Sequence, residues 1–340
     1  IGWNMIGYQG KIEKGLDHLI KTLSIAWDIL DKNHLTVSET YHFLGAGYYL
    51  SGNYNKALEN YQQSISIKSE TLDKEHLSMA MSYNNIGLVY WKKGNYYKAL
   101  EYFKQSLSIK LKTLGADNPK VASTYNNIGL IYNKQGDYYT ALEYFQQSLS
   151  IKLITLGTEH PKVANSYLNM GNVYLGLDDH DKALQYYQHA LAIRLKVFGL
   201  DNPFTAFCYD NIGFIYTRKG DYNKALETHD KAIKIMQKTL GLDHPDVAMS
   251  FGNMGILFSD KKEYDKAVQF YNKALSIFVA VFGNYHPYVG EVYNGLAKIF
   301  VNQILYTKAL QYYNLAINSL VKGFSNHSIY VNPVLPTIYQ

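Results

Sequence analysis

Asparagine recurs at Asn85, Asn127, Asn169, Asn211 and Asn253, each 42 residues from the next. Every one precedes an apolar–glycine pair, such as Ile86-Gly87 or Met170-Gly171. A carboxamide carries one acceptor and two donors, so such a row can bond peptide N–H and C=O groups without reading side chains. The same row can instead bond neighbouring repeats and hold a stack together; residue type and spacing admit both. Phe43 and Gly295 interrupt the row, which limits a candidate site to the five middle units.

Histidine recurs too, at His34, His76, His160, His244 and His286, and this spacing raises the question of a metal array. Metal ligands must converge within a few ångströms, whereas residues a whole repeat apart lie on separate turns of an array. Asparagine takes the same place at Asn118 and Asn202, so the shared feature reads as a polar residue that opens a helix. Neither a metal nor another cofactor is expected. The lone Cys208 lies in the apolar stretch FTAFCY and reads as a buried structural thiol. Gly45 and Gly47 sit in a helical repeat rather than a phosphate loop, and neither Gly-x-x-x-x-Gly-Lys-Ser/Thr nor His-Glu-x-x-His occurs. Asn326-His-Ser is formally a glycosylation acceptor, with nothing beside it that indicates secretion. No catalytic signature emerges, and the chain reads as non-enzymatic.

The elements that carry these residues follow from the period. Residues 81–119 are nearly repeated at 123–161, with Gly87 and Gly94 answered by Gly129 and Gly136. Self-similarity at this length marks a solenoid, whose units stack because none buries its apolar face alone. Within a unit, Tyr83, Ile86, Gly87 and Tyr90 share one face of a first helix, and Lys93-Gly94-Asn95 forms a turn. Ala99, Leu100, Phe103, Leu107 and Ile109 then mark a second helix. Gly87 and Ala99 permit close approach of the two helices, while Tyr90 and Phe103 are expected to fill the space between neighbouring units. Glycine ends the second helix at 115, 157, 199, 241 and 283, and proline opens the next at 119, 161, 203, 245 and 287. Seven units follow at 35–76, 77–118, 119–160, 161–202, 203–244, 245–286 and 287–323, behind a truncated unit at 1–34 where Trp3 replaces the helix glycine. The solenoid is therefore placed at 1–322 and a tail or linker at 323–340. Asp178 and Lys262 replace the turn glycine; Asp suits the same turn, and Lys262 predicts a slightly different one.

This order of residues resembles the tetratricopeptide repeat, and the 42-residue period with its Leu-Gly-x-x-His-Pro link is similar to the kinesin light chain type. The resemblance spans about residues 10–320. It implies an all-α, right-handed superhelical solenoid of antiparallel helix pairs, whose first helices line a concave groove that holds peptide segments of partner proteins. It places the asparagine row on the groove. It does not single out kinesin light chain itself, because no heptad region that would join a heavy chain is present. The neighbouring groove positions vary, as a specificity surface would: Asn84, Asn126, Asp210 and Asn294; Leu88, Leu130, Asn172 and Phe214; Trp91, Asn133 and Leu175; Lys92, Lys134 and Arg218. The basic residues would clamp a carboxylate or phosphate, or else simply solvate a helix end. Leu88, Trp91 and Phe214 would form apolar pockets, unless they pack between units.

Composition agrees with a folded chain and narrows the partners. With 47% hydrophobic and 18% charged residues, wholesale disorder is excluded. Net charge is +5 with both signs interleaved, which gives no basis for nucleic-acid binding. No run approaches the roughly 20 apolar residues of a membrane span, no leader opens the chain, and a single cysteine fits a reducing compartment. A cytoplasmic scaffold that binds a partner protein or peptide is the expectation. Two other classes remain: the sensor region of a larger enzyme (peptidase, nucleotide-hydrolysing or transferase), and a scaffold that self-associates through its terminal repeats.

Overall fold

The structure, a computed structural model, describes the backbone of residues 2–326 and the side chains of residues 10–320. The tail from 327 onward and the Trp3 side chain lie outside the described residues. Fifteen α-helices and no strands occur among them. The helices fall into two compact units, one ending at Thr155 and the other beginning at Leu156.

The first unit contains α1 (Gly2–Ile29), α2 (Leu35–Leu50), α3 (Tyr54–Thr71), α4 (Leu77–Lys92), α5 (Tyr96–Leu114), α6 (Pro119–Lys134) and most of α7 (Tyr138–Leu156). In the expected truncated repeat, Gly2–Ile29 form one uninterrupted helix. Gly10, which stands where later units turn, lies inside α1, with no neighbour near the place of a Cβ. In the other pairs a ring lies flat on the helix glycine. A Cβ on Gly45 would lie 2.7 Å from Tyr61, one on Gly87 2.7 Å from Phe103, and one on Gly129 2.8 Å from Phe145. Phe103 thus packs first inside its own pair and then joins a cluster with Ile128 and Ile131 of the next. Serine hydroxyls stitch the same pairs: Ser106 Oγ donates to the Ala80 carbonyl at 2.7 Å, and Ser148 Oγ to that of Ala122 at 2.7 Å.

The second unit contains α8 (Pro161–Gly176), α9 (His180–Phe198), α10 (Pro203–Arg218), α11 (Tyr222–Leu240), α12 (Pro245–Asp260), α13 (Tyr264–Phe282), α14 (Pro287–Asn302) and α15 (Tyr306–Asn326). The ring-on-glycine contact recurs as Gly171 with Tyr187 and Gly255 with Tyr271, but at Gly213 the ring is His229. Serine is replaced by buried Ala190, Ala232 and Ala274, so the stitch gives way to apolar packing. Helix α15 extends past residue 322, where the solenoid was expected to end.

The turn between helices of a pair requires a left-handed residue. Glycine supplies it at 52, 94, 136 and 220 with φ of 75–78°. Lys262, from which a different turn was expected, adopts φ 62° and keeps the pattern: the Glu263 N–H donates to the Phe258 carbonyl at 2.9 Å, as Asn95 does to Tyr90 at 2.9 Å. The backbone bond thus outweighs the cost of about 1–2 kcal/mol that a Cβ pays in this region.

Candidate functional site

The recurrent histidines have a local role. Nδ1 of His34, His76, His160, His244 and His286 accepts the N–H two residues on at 3.1–3.2 Å, and the Oδ1 of Asn118 and Asn202 does the same at 2.9 Å. They are N-caps, each satisfying one of the four orphan donors of a helix start. Among the described residues no three His, Cys, Asp or Glu side chains gather as a metal site would require. Cys208 is fully buried, and burial pushes its thiol up to about 11 despite Arg194 nearby, so it is inert.

Three members of the asparagine row reach the preceding repeat. In the first unit, Asn85 Nδ2 lies 3.3 Å from His42 Nε2, and Asn127 Nδ2 lies 3.5 Å from Asn84 Oδ1. In the second, Asn253 Nδ2 donates to Asp210 Oδ2 at 2.8 Å. All three pairs span 43 residues, one repeat plus one position. Asn85 also bonds the hydroxyl of Tyr61, whose pKa is raised, chiefly by burial. Gly295 interrupts the row because Tyr271 fills the place of its side chain, 2.6 Å from where a Cβ would stand.

Each pair is held differently. Asp210 is almost wholly buried; its Oδ1 lies 2.7 Å from Nδ1 of fully buried His229, and its other oxygen takes Asn253. His42 joins a second network: Nδ1 lies 3.2 Å from Ser82 Oγ, which also takes Lys68 Nζ at 3.1 Å. Burial and then the Lys68 charge lower the His42 pKa to about 4, so its ring is neutral at pH 7. The Asn84–Asn127 contact is the loosest of the three, at the outer limit of a hydrogen bond. Asn84 Nδ2 and Asn127 Oδ1 have no bond among the described residues, and both side chains are half-buried. Asn211 has Leu168, not a polar residue, 43 positions before it, and its carboxamide is likewise unbonded there.

The other candidates divide. Asn126 and Asn169 are half-buried. Leu88 and Trp91 are half-buried against the cluster of Phe103 and Ile128, so part of each serves packing between repeats. Lys92 lies 5.8 Å over the Trp91 ring, and Lys134 is half-buried. Asn172, though exposed, accepts the Tyr187 hydroxyl at 2.6 Å. Phe214 is half-buried, and exposed Arg218 faces Asp260, whose pKa burial raises and Arg218 draws back. The 43-residue pairing and the Asp210–His229 contact escaped sequence reasoning, which compared positions only at multiples of 42. An offset of 43 was the available signal.

The tetratricopeptide repeat family matches residues 4–70, 78–154, 121–196, 162–238, 204–280 and 260–320. The chain belongs to that family. Its fold is similar to that of a putative kinesin light chain of nearly identical repeats from P. anserina: 24% identity over 61% of this chain and 98% of that one, TM-score 0.54. It is similar also to the Rap conjugation gene regulator of plasmid pLS20 in complex with the Phr* peptide, at 16% identity over 84% and 74% of the two chains, TM-score 0.58. A third is the signal transduction ATPase PH0952 of Pyrococcus horikoshii, which has a tetratricopeptide repeat sensor: 17% identity, 86% of this chain and 42% of that one, TM-score 0.60. At these identities the likeness is one of fold. No curated protein matches the chain. No helix among the described residues is long and apolar enough to cross a membrane.

Proposed function

We propose that the chain is a non-enzymatic, cytoplasmic scaffold whose first-helix face binds the main chain of an extended partner segment, with α4 and α6 as the first contact. One observation carries this reading: across neighbouring repeats, Asn84 leaves a carboxamide donor unused and Asn127 an acceptor. A peptide group needs one of each. Their mutual contact is long, so a ligand displaces little to engage them. Asn85 and Asn253, by contrast, already spend a donor on the neighbouring repeat. In the second unit Asn211, beside Phe214, would make a further contact of the same kind. Leu88, Trp91, Lys92, Asn126 and Lys134 would form the rim in the first unit, and Asn169, Asn172 and Arg218 would flank Asn211 in the second. The Rap regulator of similar fold, in complex with a peptide, supports the reading by analogy.

Selection of a displayed peptide library on the wild-type protein and on the Asn84→Ala/Asn127→Ala variant tests it. A motif enriched by the former and lost by the latter, with both folded, is the expected result; equal enrichment would sink the assignment. The sensor of PH0952 favours a second reading, in which this face regulates a larger protein. A native reading frame encoding an enzyme domain alongside these repeats would distinguish it.

A further inference from the structure

Residues on α2 extend this reading, and the inference rests on it. Phe43, Ala46 and Leu50 stand at i, i+3 and i+7, on one helical face about 10 Å long at 1.5 Å per residue. Phe43 is 56% exposed and Leu50 54% exposed. None of the six later repeats carries apolar residues at these two places, whereas the truncated unit has Ile1 and Tyr8 there. The counterparts of Phe43 are five asparagines and Gly295; those of Leu50 are Lys92, Lys134, Gly176, Arg218, Asp260 and Asn302. Between them, Ala46 stands where the next two repeats place Leu88 and Leu130, so this face sets a small side chain, a notch, between two large apolar ones. Val37, Leu44 and Gly45 turn the opposite face of α2 into the core.

We infer that this notch takes one large apolar side chain, of Leu, Met or Phe size, at one end of the partner segment. Continuity with the amides singles out this occupant. Phe43 adjoins His42, which Asn85 reaches from α4, while Asn84 on α4 meets Asn127 on α6. Neighbouring first helices lie about 10 Å apart, so an extended chain at about 3.3 Å per residue advances about three residues per helix. A segment anchored at the notch therefore presents its third to sixth following peptide groups to Asn84 and Asn127. The notch is too small to be a dimer interface by itself. A buried aromatic contributes about 150–250 Å², whereas a stable dimer covers about 800 Å² on each partner.

The test compares library selection on wild type and on Phe43→Asn/Leu50→Lys, which installs residues that the next repeat carries at the same places, so the fold is retained. The expected wild-type motif has a large apolar residue at one end, and the variant loses that preference at least tenfold while keeping the rest of the motif. An unchanged motif in the variant would overturn the anchor and leave the main-chain site standing. No enrichment even on wild type would overturn the groove reading itself, and the anchor with it. Sedimentation of both proteins checks the remaining occupant: a wild-type dimer that the double substitution dissociates would assign the notch to a second copy and refute the inference.

Discussion

His42 offers a quantitative check on the inter-repeat networks. In the folded chain its pKa falls from 6.5 to about 4, through burial and then Lys68. The unfolded chain therefore binds a proton first as pH falls, and folding loses stability between pH 6.5 and pH 4. At about 1.4 kcal/mol for each tenfold step in proton concentration, the full difference is on the order of 3 kcal/mol. The ring is half-buried and partly screened, so we discount this to about 2 kcal/mol. His42→Asn places at this position the residue found at Asn84 and Asn126, with an amide able to accept from Asn85 and nothing to titrate. Urea unfolding followed by circular dichroism at pH 7 and pH 4 should show the variant gaining about 2 kcal/mol relative to wild type at the lower pH. Stability curves that stay parallel from pH 7 to pH 4 would refute the assignment of a neutral, buried His42.

Further substitutions follow from the packing, each read as a change in unfolding midpoint. Gly87→Ala should cost about 1–3 kcal/mol, because its Cβ would lie 2.7 Å from Phe103, whereas Gly252→Ala, with open space at that point, should gain about 0.5–1 kcal/mol. His229→Phe should cost about 1–3 kcal/mol by removing a partner of buried Asp210, and Asp210→Asn added to His229→Tyr should recover most of it by replacing the carboxylate with the amide found at Asn84, Asn126 and Asn294 and the ring with that of Tyr187 and Tyr271. Ile304→Gly should stabilise by about 1 kcal/mol, since a β-branched residue there holds φ 62°.

Most of the array was legible because packing repeats with the sequence. The turn glycines, the second-helix stops at 115, 157, 199, 241 and 283 and the helix-opening prolines marked boundaries that the structure reproduces. Lys262 misled because residue type speaks only to intrinsic turn preference, whereas the bond to Phe258 fixes the backbone. Gly10 shows the converse: it stands where later units turn, yet a glycine permits a turn without compelling one, and α1 runs through it. The candidate site was less legible. Side chains at one position share a direction, which the 42-residue period conveys; their partners depend on the stagger between adjacent helices, which it does not. That stagger sends Asn85 to His42 and Asn253 to Asp210, and leaves Asn84 and Asn127 loosely joined.

The most direct measurement is a double-mutant cycle on a selected peptide by titration calorimetry. Each peptide N–H would be replaced in turn by N-methyl, against wild type and against Asn127→Ala. Contact with Asn127 Oδ1 predicts one position where methylation costs about 1 kcal/mol or more in wild type and nearly nothing further in Asn127→Ala. Additive losses at every position would contradict main-chain recognition by Asn127.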